Sequence, residues 1–555
     1  VARVLAGRGV DAAGADRFLD PSLRALMPDP SALADCEAAA ERLAAAVRSG
    51  ERVAVFADYD VDGATSGAVV VRTLRALGLD PVFHVPDRLT EGYGPSVEGM
   101  RALVAGGASL VVTVDCGSAA HEPIAAARAL GADVLVIDHH PCPVDLAPAV
   151  AVVNAKRQDD LSGLDTLAAV GVAFVVMVAL VRALRRAGHF ARGRPEPDLL
   201  GLLDLVALGT VCDVVPLSGL NRAFVAKGLK VMARRERPGL RALADVARLS
   251  GPPSTFHLGF MLGPRINAGG RIGDAALGLR LLATEDDDEA ARIAATLDRL
   301  NGVRQALDEA ALAEADAALL PAVVSDALPA VLQVASPGWH PGVVGLVAAR
   351  LKERHRRPAI AIALAPDGSG TGSARSIPGV DIGAAVRAAV EAGILRKGGG
   401  HAMAAGVTVA ADALDALAAF LSERLAADVA AARAIDAIEV DGALAAEGAC
   451  EALATLVERA GPFGAGHPEP VFAFPAHRVR SLAPCGSSHL RCEIESTGGA
   501  RIEAMAFRAA GTDLGALLSS AAGQPLHLAG SLMLDRFRGV PRVKLRVVDA
   551  ARAVI

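Results

Sequence analysis

Three short apolar runs early in the chain each stop at a carboxylate, and this repetition narrows the possible folds more than any other feature. Residues 53–57 run into Asp58, Asp60 and Asp62, residues 109–114 into Asp115, and residues 132–137 into Asp138, His139 and His140. The runs are β-branched and lack alternation, as parallel strands buried on both faces require. Ala-rich stretches such as residues 121–130 separate them, which is βαβ patterning. In open α/β sheets ligands bind beyond the carboxyl ends of the strands, so each run delivers its polar residues to one edge.

Asp213, just past the apolar segment 199–208, is a fourth contributor. Asp60, Asp62, Asp115, His139, His140 and Asp213 are therefore expected to form one catalytic constellation. Like charges this close repel unless a cation holds them. Carboxylates with imidazole suit Mn²⁺, or Mg²⁺ with more water, better than thiolate-bound Zn²⁺. So many acidic ligands exceed the needs of one ion. Two ions about 3.5–4 Å apart would use them and clamp a phosphoryl group. Taken singly, Asp115 could cap a helix and His139 could be a structural imidazole; their recurrence at successive strand ends favours the site.

A chain of 555 residues that is 52% hydrophobic has material for several cores and is not a disordered polymer. The net charge of −6 argues against sequence-independent nucleic-acid binding over the whole surface. It leaves room for a local basic channel beside an acidic metal site. The seven cysteines are scattered with no CxxC pair, so neither a disulfide framework nor a zinc ribbon is expected, and a reducing cytoplasm fits. The opening residues carry no secretory-signal pattern; because the sequence opens with Val1, residues are expected ahead of it. The uncharged stretch 167–181 is too short to span a bilayer and is expected to be a buried helix; no membrane association is expected.

The pattern divides the chain into a helical lead-in (1–49), an α/β catalytic domain with a parallel sheet (50–274), a long connecting helix or helix pair (275–320) and a smaller α/β domain (321–432). A C-terminal unit (433–555) has five strand candidates, compatible with an OB-like β-barrel. In the smaller α/β domain, residues 368–372 and 398–400 read as Gly-rich loops. In the last strand candidate, Arg542, Lys544 and Arg546 alternate with Val543, Leu545 and Val547, giving either a basic binding face or a solvated edge strand.

These motifs in order resemble the DHH phosphoesterase superfamily, whose triplet stands here as Asp138-His139-His140. Asp58-Tyr59-Asp60-Val61-Asp62-Gly63 and Val114-Asp115-Cys116-Gly117 are similar to its first two motifs, and residues 209–216 to its fourth. Residues 263–271 and Gly338-Trp339-His340-Pro341-Gly342 are similar to signatures of its exonuclease branch specific for single-stranded DNA. Residues 372–376 and 398–406 are similar to the DHHA1 domain. The resemblance covers nearly the whole chain. It implies 5′→3′ degradation of single-stranded DNA to mononucleotides with two Mn²⁺ or Mg²⁺ ions, in DNA repair and recombination. One ion would take Asp60 and Asp115, with Asp58 assisting; the other would take Asp62, Asp115, His139 and Asp213. Many superfamily members have His where this chain has Phe56, which leaves the first ion's ligand set open. Partners implied by analogy are single-stranded DNA, a single-strand-binding protein and a RecQ-type helicase.

His140 is expected beside the transferring phosphate, and Asp138 either orients an imidazole or caps a helix. Candidate phosphate contacts are Arg88, Ser373, Arg375, Gly399, Gly400 and His401. Arg265, Asn267 and Arg271, in an expected Arg-rich loop, either contact backbone phosphates or form a salt-bridge network. Tyr93, Trp339 and Phe537 are candidate stacking aromatics, with core packing the alternative for Trp339. Two other functions share these features: a DHH-type hydrolase of short oligonucleotides, cyclic dinucleotides or pyrophosphate, and a non-catalytic DNA-binding replication scaffold.

Overall fold

β1 (Val53–Ala57) lies inside a five-stranded parallel sheet ordered β2-β1-β3-β4-β5, with β2 Val82–His84, β3 Leu110–Val114, β4 Asp133–Ile137 and β5 Ala151–Val153. The computed structural model describes residues 1–88, 90–435, 437–486, 488–521, 523–535 and 541–553. Every residue of β1 and β3 is buried, which explains their unbroken apolar sequence. Fully burying each such Val or Leu is worth about 1.5–3 kcal/mol. Ala57 pairs with Val114 and Val114 with Ile137, so the three strands end in register. One further ladder bond continues past each end: Asp58 N–H donates to Val114 at 3.3 Å, and Asp115 N–H to Ile137 at 2.9 Å. Asp58, Asp115 and Asp138 thus emerge side by side.

Three helices complete the surroundings of that edge: α1 (Val61–Ala76), α2 (Ala169–Arg186) and α3 (Leu203–Cys212). α2 is the buried helix expected from the uncharged stretch. Asp213 is the C-cap residue that follows α3, so it comes from a helix end and not from a strand. The lead-in is helical, from Ala2–Gly7 to Cys36–Ser49. No helix among the described residues is long and apolar enough to cross a membrane.

The described chain falls into two compact units. The first comprises residues 1–263, 278–291 and 438–555, and the second residues 264–277 and 292–437. The connecting segment is a helix pair, Ala276–Ala283 and Asp287–Val324. In the second unit β6 (Leu332–Ser336), β7 (Ala359–Leu364), β8 (Ser369–Arg375), β9 (Lys397–His401) and β10 (Ala404–Ala410) form a sheet ordered β6-β7-β8-β10-β9. Both Gly-rich segments expected as loops are therefore strands. A side chain at Gly372 would meet Val407 at 2.7 Å and Ile362 at 2.8 Å, and one at Gly398 would meet Val386 at 2.7 Å. Glycine here makes room for close packing. The segment with Arg265, Asn267 and Arg271, expected as a loop, lies in a helix, Gly263–Ile272. Pro264 is tolerated in its first turn, and Gly269 lets Asp274 and Leu297 approach.

In the C-terminal part of the first unit, β12 (Phe472–Cys485), β13 (His489–Glu495), β14 (Arg501–Ala506), β15 (Pro525–Asp535) and β16 (Arg542–Arg552) close into an OB-like barrel through a β12–β15 pairing. The short strand β11 (Gly442–Ala443) adds to β12. β16 lies between β14 and β15, so it is not an edge strand. Two of its basic residues are engaged: Lys544 pairs with Glu503 at 3.2 Å and Asp535 at 2.9 Å, and Arg546 with Glu469 at 2.6 Å. The Lys544 pairs, with Glu503 of β14 and Asp535 of β15, are cross-strand charge pairs.

Candidate metal centre

Asp60 is the N-cap of α1, and one carboxylate oxygen accepts from the Asp62 and Gly63 N–H groups at 2.8 and 3.0 Å. Its second oxygen remains for a ligand. Gly63 is required because a Cβ there would lie 2.3 Å from the Asp58 carbonyl oxygen. Asp62, in the first turn of α1, is buried and accepts from the Ala169 and Val170 N–H groups of α2 at 2.6 and 3.0 Å. The positive end of that helix supports its charge. Gly209 of α3 packs against the same carboxylate; a Cβ would meet Thr65 Oγ1 at 2.2 Å and Asp62 Oδ1 at 2.9 Å.

Asp115 is buried with φ +61°, a left-handed conformation uncommon for a non-glycine residue. Its Oδ1 lies 3.4 Å from His139 Nε2. His139 Nδ1 faces the Leu167 carbonyl at 3.1 Å, which fixes the Nδ1–H tautomer and leaves Nε2 as a lone-pair donor. Asp213 Oδ2 is 3.6 Å from His139 Nδ1. Val214, immediately after, has φ +62° and is largely solvent-exposed. For a β-branched residue that is strain, and strain of this kind gathers at functional sites.

Four buried atoms here lack any hydrogen-bond partner: Asp58 Oδ1, Asp115 Oδ1, His139 Nε2 and Asp213 Oδ2. Donor atoms of three residue groups lie within 4.8 Å of one another: Asp58, Asp60 and Asp115; Asp62, His139 and Asp213; and Asp115, His139 and His140. Burial, then Asp60, pushes the Asp58 carboxyl well above the usual range. Burial and Asp213 do so for Asp62, and burial and Asp62 for Asp115. Burial and Asp60 push Asp213 up to about 7, and burial with the neighbouring His140 lowers His139 to about 4. Carboxylates crowded around one imidazole, with orphaned atoms facing inward, fit divalent cations. The oxygen-rich set with one nitrogen suits Mn²⁺ or Mg²⁺.

Asp138 is not a member of these groups. Its carboxylate accepts from the Ser118, His139 and His140 N–H groups at 3.0, 2.7 and 3.1 Å, and from His140 Nδ1 at 2.9 Å. Burial opposes its charge, but His140 and Ser118 outweigh that and hold it well below the usual range. In turn Asp138 raises His140 against the effect of burial. Tyr93 Oη sits 3.0 Å from His140 Nδ1 and donates to the Asp115 carbonyl at 3.2 Å. Sequence reasoning cast Tyr93 as a stacking ring and missed this bond, and also Asn154, whose amide donates to Ser118 Oγ at 2.8 Å and the His140 carbonyl at 2.9 Å. No local motif marks either; both depend on chain returning from elsewhere.

The comparisons with known proteins point the same way. Residues 52–210 match the DHH family N-terminal domain, residues 327–427 the DHHA1 domain and residues 440–549 the RecJ OB domain. The single-stranded-DNA-specific exonuclease RecJ of Dickeya dadantii is 38% identical over 95% of this chain and 92% of its own length. That of Escherichia coli is 38% identical over 97% and 93%. The chain belongs to the RecJ family. The crystal structure of RecJ from Thermus thermophilus in complex with Mn²⁺ superposes with a TM-score of 0.80 at 30% identity, covering all of this chain and 76% of that one. The same protein with Mg²⁺ gives a TM-score of 0.73 at 30% identity, covering 100% and 74%. The RecJ relatives of known structure thus hold the two kinds of cation that the donor set here fits.

The expected phosphate contacts of this RecJ-family chain are placed as follows. Arg88 lies over the Tyr59 ring, 5.3 Å from its centroid, and its charge reaches Asp58. Ser373 and Arg375 share a face of β8, with Arg375 Nη1 donating to Ser373 Oγ at 2.7 Å. Gly399 is open to solvent, Gly400 has φ +153°, and His401 Nδ1 accepts from Met403 N–H at 3.3 Å. Arg265 pairs with Asp298 at 2.8 Å, Arg271 donates to the Gly342 carbonyl at 3.0 Å, and Asn267 is half-buried on the same helix. Trp339 is in a core, its indole N–H bonded to Glu314 at 2.8 Å, so it is not a stacking platform. Phe537 lies outside the described residues.

Proposed function

We propose that this chain hydrolyses single-stranded DNA from the 5′ end, releasing 5′-mononucleotides, with two Mn²⁺ or Mg²⁺ ions in DNA repair and recombination. The observation that carries this is the convergence of four orphaned buried donor atoms, from Asp58, Asp115, His139 and Asp213, at one sheet edge. Asp58, Asp60 and Asp115 would hold one ion, and Asp62, Asp115, His139 and Asp213 the other. Phe56 is buried in the sheet and packs against His84, so Asp58 supplies the donor that an imidazole at position 56 would give. When bound, the ions supply charge against the phosphoryl oxygens and make water acidic enough to attack at neutral pH.

The remaining chemistry belongs to the side chains. His139, fixed through Leu167, offers Nε2; Asp62, fixed by the N-terminus of α2, cannot swing away. His140 is held by Asp138 and Tyr93 with its outer edge in solvent, where a charged imidazole donates to a phosphate oxygen as negative charge builds. Ser373, Arg375, Gly399, Gly400 and His401 on β8 and β9, with Arg88, Arg265, Asn267 and Arg271, are the proposed phosphate contacts. The work divides along the expected segments, with chemistry in 50–274 and strand binding in 321–432 and 433–555. A single-strand-binding protein and a RecQ-type helicase are proposed partners in the cytoplasm, by analogy with the family.

The test is the release of labelled mononucleotides from long 5′-phosphorylated single strands in Mn²⁺, compared with dinucleotides and blunt duplex. Long single strands are the expected substrate. Faster cleavage of dinucleotides would transfer the assignment to a short-oligonucleotide hydrolase.

A further inference from the structure

Aromatic residues are scarce in this chain: one Trp, two Tyr and 14 Phe in 555 residues. Phe256 and Phe260 are nevertheless 59% and 72% exposed, more than any other phenylalanine among the described residues. Their rings stack on each other, with centroids 5.2 Å apart and an interplanar angle of 26°. Folding gains little from two rings left in water. The backbone that carries them widens into a π-helical turn over His257–Leu262, a geometry that recurs at functional sites.

That turn is attached to the metal centre. The Cys212 thiol donates to the Leu258 carbonyl at 3.4 Å, and Cys212 directly precedes Asp213. A Cβ at Gly259 would touch Val211 at 3.6 Å. Upstream, Thr255 Oγ1 donates to the Phe463 carbonyl at 2.7 Å, and Ser254 N–H to His257 Nδ1 at 3.0 Å. The turn that carries the exposed pair thus packs, through Leu258 and Gly259, against the end of α3 that precedes Asp213.

We infer that Phe256 and Phe260 form a platform on which bases of the single strand stack beside the metal centre. The inference rests on the function proposed above and names how that site would grip its substrate. Every base has a π-face, so such a platform is indifferent to sequence, and paired bases inside a duplex cannot reach it.

The test uses the full chain and a fluorescent oligo-dT strand, with dissociation constants measured by anisotropy at low salt without metal. F256A/F260A should bind at least about tenfold more weakly than wild type, and F256W/F260W should bind at least as well as wild type. Replacing the strand's nucleotides by abasic ones should weaken binding to wild type but add little to the loss in F256A/F260A. Thermal midpoints and Mn²⁺ titrations of the variants report that the fold survives. Equal binding by wild type and F256A/F260A, no wild-type preference for intact over abasic strands, or no binding by wild type overturns the platform. If wild type binds the strand in this pattern but fails to hydrolyse it in Mn²⁺, the proposed function falls and the platform stands.

Discussion

His139 Nε2 and Asp115 Oδ1 face each other at 3.4 Å, and neither atom makes a hydrogen bond. Two acceptors in this position are tolerable only with something positive between or beside them. Asp115→Asn should therefore cut hydrolysis by about 10²–10³-fold or more. Its thermal midpoint in EDTA should equal or exceed that of wild type, because one member of a repelling cluster is gone. A large loss of midpoint in EDTA would mean that Asp115 serves the fold and not the ions.

The same crowding sets a pH dependence. Asp213 is raised to about 7 in the folded state, and Asp58, Asp62 and Asp115 are raised in direction as well. A carboxyl raised on folding holds its proton while the unfolded chain loses it, so stability falls as pH rises from about 4 through about 7. Without metal, the midpoint should drop over that window; with saturating Mn²⁺ the drop should shrink, since cations favour the ionised forms. Calorimetric scans from pH 5 to pH 8, with and without chelator, measure it.

Asp138 makes four hydrogen bonds to the backbone and to His140. Asp138→Asn should lower kcat/KM about 10–100-fold, the usual cost of losing such a support. Mn²⁺ affinity should change less. The His140 titration should move to lower pH, and NMR of the imidazole in the two proteins tests that directly.

Arg222 is buried and donates to the carbonyls of Phe18, Ala460, Gly461 and Pro462 while lying over the Phe18 ring at 4.0 Å. It joins the lead-in to the segment before the barrel. Arg222→Ala leaves those carbonyls unpaired and should cost about 3 kcal/mol or more. Urea unfolding, with Mn²⁺ affinity as the control, reads the effect.

Much of this was legible in the sequence because parallel strands are buried on both faces. Residues 53–57, 110–114 and 133–137 announce themselves as apolar blocks, and the polar residues after each block must lie at the sheet edge. Asp213 could not be placed the same way, since a buried helix end and a buried strand end look alike over ten residues. Gly370, Gly372 and Gly398 read as turns because glycine permits turns, while their actual role is to let Ile362, Val407 and Val386 close over a strand. The engagement of Lys544 and Arg546 depends on Glu503, Asp535 and Glu469, which lie far from them in the chain or on other strands and which only the tertiary fold brings near. The Phe256–Phe260 stack depends on a widened helical turn that spacing alone does not reveal.

Anomalous diffraction at the manganese edge, from crystals of the intact chain soaked in Mn²⁺, tests the central claim most directly. The account predicts two peaks about 3.5–4 Å apart, one among Asp58, Asp60 and Asp115 and the other among Asp62, Asp115, His139 and Asp213. No peak at that sheet edge, with these side chains in the positions described, would contradict it.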